Sequence, residues 1–451
     1  MCPLVGAGTT TITVANGYSG GTTVSAGRLL GTANTAFGTG PIVIGDTAAS
    51  ASLYLGQRAD ITNAITVSAI GTGTVVIGAD NTGSGANAST LAGTLTLNRP
   101  TTLSGEVTSD RLAIDGKITG NVGTLTVTGG ARTTFLSTAN DFAGDIVVTG
   151  AGTILQPSVA TAAETVPNGS SVTVDSGAIL QLASLSGAET INALNGAGTV
   201  RTFPTAAFGS NLTVGSAGGS GSFSGALVNG FAPLSLTKTG AGTQTLAGVN
   251  TYTSATTVSA GTLAITGSIS GSTTIDVQSS GNLGVTGASG GFIVATGQTL
   301  KGNGNVLGAT TVNGTLSPGA SPGTLTFNNA LTFGGSSTLT LEIGGTNPGE
   351  FDKVSGVTNL TLDGAFTVSL FGGFSPVPGN SFDVLDWSGT LNATGFSVGT
   401  DLILPGLALD YTWDTTNFTT DGTLAVVPEP GSAALLLGGL AMLAGRRRFC
   451  R

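Results

Sequence analysis

One phrase recurs along the chain and limits the architectures open to it. A few strand-forming residues lead into a small-residue turn containing Gly, and a second strand then begins with Leu or Ile. The phrase reads TTVSAGRLL at 22–30, DIVVTGAGTIL at 145–155, SVTVDSGAIL at 171–180 and TTVSAGTLAI at 256–265. Related forms are TTIDVQSSGNLGV at 273–285 and TTVNGTL at 310–316. Alternation at period two puts Val, Ile and the post-turn Leu on one face and Thr and Ser on the other. A unit this short cannot enclose a core alone. Stacked units bury a continuous apolar column, the solution adopted by repeat proteins. The start points are unevenly spaced, which predicts coils of unequal length separated by loops. A β-sandwich also suits short alternating strands. A chain of 451 residues would need several of them, and no linker is visible.

Composition supports the same reading. Gly accounts for 75 residues, roughly twice the usual share. Charged residues are only 8% and aromatics 5%, with 39% apolar. Thr, Val, Ile and Leu favour strands, while Gly, Asn and Ser supply turns. The expected fold is all-β: a right-handed parallel β-helix (β-solenoid) ending in a short C-terminal hydrophobic helix. The expected divisions are a solenoid over 1–300, a β-rich continuation or cap over 301–425, and a distinct tail over 426–451. The middle division starts near the turn-rich NGTLSPGASPGTLTF at 313–327. Longer strands follow, with most of the Phe and both Trp lying toward this end. The stretch GEFDKV at 349–354 with the strand after it resembles the region between repeats and tail in surface proteins of this type.

A second phrase, Asn-x-aromatic, precedes the first in three places: Asn16-Gly17-Tyr18, Asn140-Asp141-Phe142 and Asn250-Thr251-Tyr252. The fullest copy, LTKTGAGTQTLAGVNTYTSATTVSAGTLAITG at 236–267, resembles the autotransporter-associated β-strand repeat. Asn and aromatic side chains stack well along solenoid corners, so these positions read as structural. The other reading is an aromatic platform for a sugar ring.

The last 25 residues change character. Pro428-Glu429-Pro430 is followed by an uncharged apolar stretch, Gly431 to Gly445, and then by Arg446, Arg447 and Arg448. Fifteen helical residues span about 22 Å, short of a hydrocarbon core of about 30 Å, so the stretch reads as a processed signal. The arginines are expected to stay on the cytoplasmic side, leaving the body outside. This tail resembles the PEP-CTERM sorting signal. The resemblance implies recognition of Pro428, Glu429 and Pro430 by an exosortase, with Arg446, Arg447 and Arg448 as the basic stop. It also implies transient membrane insertion by the tail, export to the envelope, outer surface or extracellular matrix, and association with exopolysaccharide or biofilm. The family carries an N-terminal secretory signal. Residues 1–15 lack a basic n-region and a clear apolar h-region, so a truncated gene or miscalled start is expected.

Enzyme chemistry finds little to work with. Histidine is absent, which removes Ser-His-Asp and Cys-His catalysis and most zinc sites. Cys2 and Cys450 are the two cysteines, one near each end, so no disulfide framework staples the body. The 23 acidic residues are spread thinly. The nearest pairs are Asp141/Asp145, Asp383/Asp386 and Asp110/Asp115. Asp383 and Asp386, three apart in an alternating strand, are expected on opposite faces. Phosphate-loop and calcium-roll motifs are missing. The net charge of −9 would be more negative still without the arginines of the last six residues. Nucleic acid is therefore not an expected partner. The expectation is a structural or adhesive surface protein, with no catalytic residue, cofactor or metal. The alternatives are a polysaccharide-degrading β-helix enzyme, lyase or hydrolase, and an autotransporter-type passenger fragment.

Overall fold

The computed structural model describes residues 2–4, 6–57, 59–81, 88–157, 164–183, 188–203, 209–288 and 290–429. Contacts divide the chain into two compact units, Met1–Ser272 and Thr273–Arg451. Each is an all-β parallel solenoid, as the repeats predict.

In the first unit the strands Cys2–Leu4, Thr22–Val24, Ile42–Ile44, Ile65–Val67, Leu95–Leu97 and Ile118–Thr119 form one six-stranded parallel sheet. A second, eight-stranded sheet runs from Asp60–Ile61 to Ala226–Val228. A third ladder shows why the alternation matters. Leu29, Leu53, Ile77, Leu103, Val127, Val148 and Val174 lie in register on successive coils, all buried. One position earlier, Arg28, Ser52, Val76, Thr102, Thr126, Val147 and Thr173 face outward. Each inward Leu, Ile or Val contributes about 1.5–3 kcal/mol through burial.

Uneven repeat spacing also has its explanation. Thr243 pairs with Thr262, a coil of 19 residues, whereas Ile65 pairs with Leu95, a coil of 30. The strands keep register and the corners absorb the difference.

Thr273–Arg451 repeats the principle with larger side chains. Ile275, Leu300, Leu316, Leu339, Phe366 and Leu402 form its buried column. The parallel coils give way to an antiparallel sheet of Ser381–Asp383, Thr423–Pro428 and Tyr411–Asp414. Two single-turn helices, Val398–Asp401 and Phe418–Asp421, accompany it. Phe366 lies 4.9 Å from Phe333, 4.8 Å from Phe396 and 6.2 Å from Phe418, ring centre to ring centre. Such a cluster removes apolar area from water where the parallel coils give way to the antiparallel sheet. The expected hydrophobic helix at 431–445 lies outside the described residues.

Candidate functional site

The Asn-x-aromatic positions are construction elements. Asn250 accepts a hydrogen bond from the Leu227 N–H at 2.9 Å and donates to the Ser268 carbonyl at 3.0 Å, joining three successive coils. Asn140 does the same between the Ile118 N–H and the Thr165 carbonyl, at 2.7 and 2.8 Å. Asn16 donates to the Ala36 carbonyl at 2.8 Å. A side-chain amide offers both a donor and an acceptor, and no carboxylate or hydroxyl matches that span. Phe142 is 2% exposed and Tyr252 0%, so neither offers a ring face to a sugar.

The Lys-x-Gly strand of the fullest repeat is explained too. Lys238 occupies an inward register position between Val214 and Val258, and it is fully buried. Its ammonium donates to the carbonyls of Thr239, Gly240 and Ala260 at 2.6, 2.8 and 3.2 Å. Three acceptors use its three donors, which offsets the cost of burying the charge. Burial holds its pKa below the usual lysine value.

Glycines form a column of their own. A Cβ on Gly225 would overlap the Gly198 carbonyl, one on Gly248 the Gly225 carbonyl, and one on Gly267 the Gly248 carbonyl. Backbone stacks directly on backbone at this corner.

The acidic groups fall into several environments. Asp383 and Asp386 do not face apart, contrary to the expectation from spacing. Both carboxylates meet Lys353 Nζ, at 2.6 and 2.7 Å. The chain leaves one short strand, Ser381–Asp383, at buried Val384 and starts another, Leu385–Trp387, so simple alternation fails. Burial outweighs the lysine and holds the Asp383 pKa above its ordinary value. Asp110 and Asp115 part company: Asp110 is buried, accepting from the N–H groups of Asn81, Glu106 and Val107, and Asp115 is exposed. Asp141 pairs with Lys117 at 2.5 Å, and Asp145 accepts from the Ser171 N–H at 2.9 Å.

Two buried acids gave no sequence signal. Glu189 takes an inward position in register with Leu212 and accepts from the Val166 N–H at 2.7 Å. Burial pushes its pKa up to about 8. Asp352 accepts from the N–H groups of Gly323 and Glu342 at 2.8 and 2.9 Å, and burial raises its pKa to about 7.

Two clefts sit beside these groups. One, of about 540 Å³, is lined by Asn140, Asp141, Phe142, Glu164, Val166 and Ser170. The other, of about 480 Å³, is lined by Asp276, Lys301, Ser317, Ser321 and Glu342 among others. Among the described residues no group of three or more His, Cys, Asp or Glu is placed to hold a metal ion.

In the tail, Pro428 ends the strand Thr423–Pro428 opposite Tyr411, and the Glu429 N–H donates to the Asp410 carbonyl at 2.8 Å. Both residues are exposed. Pro430, Arg446, Arg447 and Arg448 lie outside the described residues. Among the described residues no helix is long and apolar enough to cross a membrane.

Residues 5–30 and 236–265 match a family model described as the passenger-associated-transport repeat. Those two segments hold the first and the fullest of the repeats traced above. No curated protein matches the chain. The chain is thus similar, over two coils and their corners, to a repeat associated with passenger transport.

Proposed function

We propose that this chain is an exported structural or adhesive β-solenoid of the cell surface or extracellular matrix, without catalytic activity of its own. The observation that carries this reading is how the repeat uses its polar and aromatic residues. Asn250, Tyr252, Lys238 and Thr256 are all buried and bonded within the solenoid. Residues committed to holding coils together leave an outer surface of Thr and Ser suited to passive contact. The similarity to a passenger-associated repeat supports export.

In this reading the tail is a PEP-CTERM signal. An exosortase recognises Pro428, Glu429 and Pro430 while the apolar stretch is transiently in the membrane and Arg446, Arg447 and Arg448 remain on the cytoplasmic side. Exposure of Pro428 and Glu429 at the end of the last strand supports access by such an enzyme. The mature protein would associate with exopolysaccharide, as in biofilm, and not with nucleic acid.

Mass spectrometry of the C-terminal peptide from envelope and medium fractions tests the reading. A chain ending near Pro430 supports sorting. A chain ending at Arg451 in the cytoplasmic fraction would overturn it. Release of sugar products from acidic polysaccharides by the purified protein would overturn the non-catalytic part.

A further inference from the structure

The outer face of the eight-stranded sheet in Met1–Ser272 carries three arginines that form no ion pair among the described residues. Arg111 and Arg132 are register partners on neighbouring strands, Arg111–Ile114 and Arg132–Phe135, about 4.8 Å apart along the sheet. Arg201 stands on the same sheet in the strand Thr199–Thr202. Its Nε and Nη2 both donate to Gln181 Oε1, at 3.0 and 2.8 Å, and Gln181 in turn donates to Gln156 Oε1 at 3.0 Å. Arg132 lies over the Phe203 ring at 5.8 Å, and its Nε is buried without a hydrogen-bond partner. All three arginines are half-buried.

Other cations of the described body are compensated differently. Arg28 pairs with Asp80 and Glu106, Lys117 with Asp141, and Lys353 with Asp383 and Asp386. Arg99 donates to the carbonyls of Gly45, Ser68 and Gly73, as Lys238 does to its own three. Lys301 is exposed to water. Among the described residues no carboxylate forms an ion pair with Arg111, Arg132 or Arg201. The stretches 158–163, 184–187 and 204–208, which follow strands of this sheet, contain no Asp or Glu. Burial and the charges of Arg111 and Arg201 both lower the Arg132 pKa, the mark of like charges gathered without a counter-ion.

We infer that Arg111, Arg132 and Arg201 form a binding site for the carboxylate groups of an acidic glycan. A guanidinium fork matches a carboxylate in two parallel hydrogen bonds, and an unpaired buried donor gains most from such a partner. The amides of Gln156 and Gln181 are buried and bonded in series, and they hold Arg201 in place. A net charge of −9 opposes a densely charged phosphate polymer, whereas sparse carboxylates can reach a local basic patch. The inference deepens the surface-protein reading by naming a ligand class, and its test separates the two.

The experiment measures binding of oligogalacturonate to the purified full chain at low salt, with maltodextrin and duplex DNA as comparison ligands. The expected result is salt-sensitive binding of oligogalacturonate alone. It should weaken about 10-fold in Arg111→Gln and in Arg132→Gln, the loss of one charge-assisted contact, and stay unchanged in Lys301→Gln. At one ligand concentration the melting temperature of the wild type should rise more than that of Arg132→Gln. If a Gln variant fails to fold, Arg132→Lys, which keeps the charge and loses the fork, should still bind more weakly. Absence of wild-type binding, equal binding by the arginine variants, or equal or tighter binding of maltodextrin or DNA would overturn the site. Surface location is scored separately by protease shaving of cells. A displayed protein that binds no oligogalacturonate sinks the site alone, and a binding protein confined to the cytoplasm sinks the surface reading alone.

Discussion

The phenolic oxygen of Tyr252 lies 2.6 Å from Thr256 Oγ1, four residues on, and Thr256 donates to Ser272 Oγ on the next coil at 2.9 Å. Tyr18 and Thr22 repeat the contact at 2.7 Å in the other matched segment. The repeat therefore encodes a two-residue clasp, with the aromatic ring filling a corner and its hydroxyl bonding the first Thr of the following strand. Removing that hydroxyl in Tyr252→Phe should cost about 1 kcal/mol, and removing the ring in Tyr252→Ala about 3–5 kcal/mol. Urea unfolding of the purified chain reads both. Equal midpoints for Tyr252→Phe and wild type would show that the clasp holds nothing.

The column Gly198, Gly225, Gly248 and Gly267 calls for a harsher outcome from a smaller change. In Gly248→Ala a single methyl group would meet the Gly225 carbonyl, which is backbone of a stacked coil and has no rotamer to escape into. Overpacking of this kind costs about 1–3 kcal/mol. Gly218, whose Cβ would meet nothing, has φ of +77°, so alanine there tests conformational strain without overlap. Gly248→Ala is expected to lower the melting temperature more than Gly218→Ala. The reverse order would mean that turn conformation, not stacking, explains the glycine content.

Much of this construction was legible in the sequence, because one strand and its turn are local. Alternation within the quoted phrases identified inward positions such as Leu29, Val148 and Val174, and the Asn-x-aromatic phrase marked corners that the structure finds bonded across coils. What was not legible depends on which residues coil length brings together. Lys353 and Asp383 are 30 residues apart, and their meeting rests on the length of that coil, which no local pattern states. Asp386 joins them because the strand breaks at Val384, where strict alternation would have turned it away. Glu189 stands at a Leu position of the ladder, a substitution that reads as an irregularity until its partners at Thr165 and Val166 are known. The three arginines are spread over residues 111 to 201 and share a sheet only once the strands are stacked.

Lys238 offers a test of how a buried charge is held. Methionine fits the same volume and leaves the carbonyls of Thr239, Gly240 and Ala260 without their common donor. Lys238→Met should therefore destabilise by about 3 kcal/mol, although it removes a buried charge. A neutral or stabilising result would mean that water satisfies those carbonyls, which hydrogen exchange at the turn would reveal.

Glu189 makes stability depend on pH, and the direction can be worked out. Its ordinary value is 4.5, and in the folded chain burial raises it to about 8, with the nearby Glu164 carboxylate adding to the rise and the Thr165 and Val166 N–H groups opposing it. Between these values the folded chain holds a proton that the unfolded chain has released. Stability from this group is thus fully present below pH 4.5 and is lost as pH rises toward and through 8. Gln keeps the oxygen that accepts from Val166 and cannot ionise. In Glu189→Gln the fall in unfolding free energy between pH 5 and 8 should shrink by a few kcal/mol, on the order set by a shift of this size. The variant should be the more stable protein at pH 8. Parallel pH profiles for variant and wild type would show that the Glu189 carboxylate is solvated in the folded chain and that its inward register position does not carry the cost assigned to it.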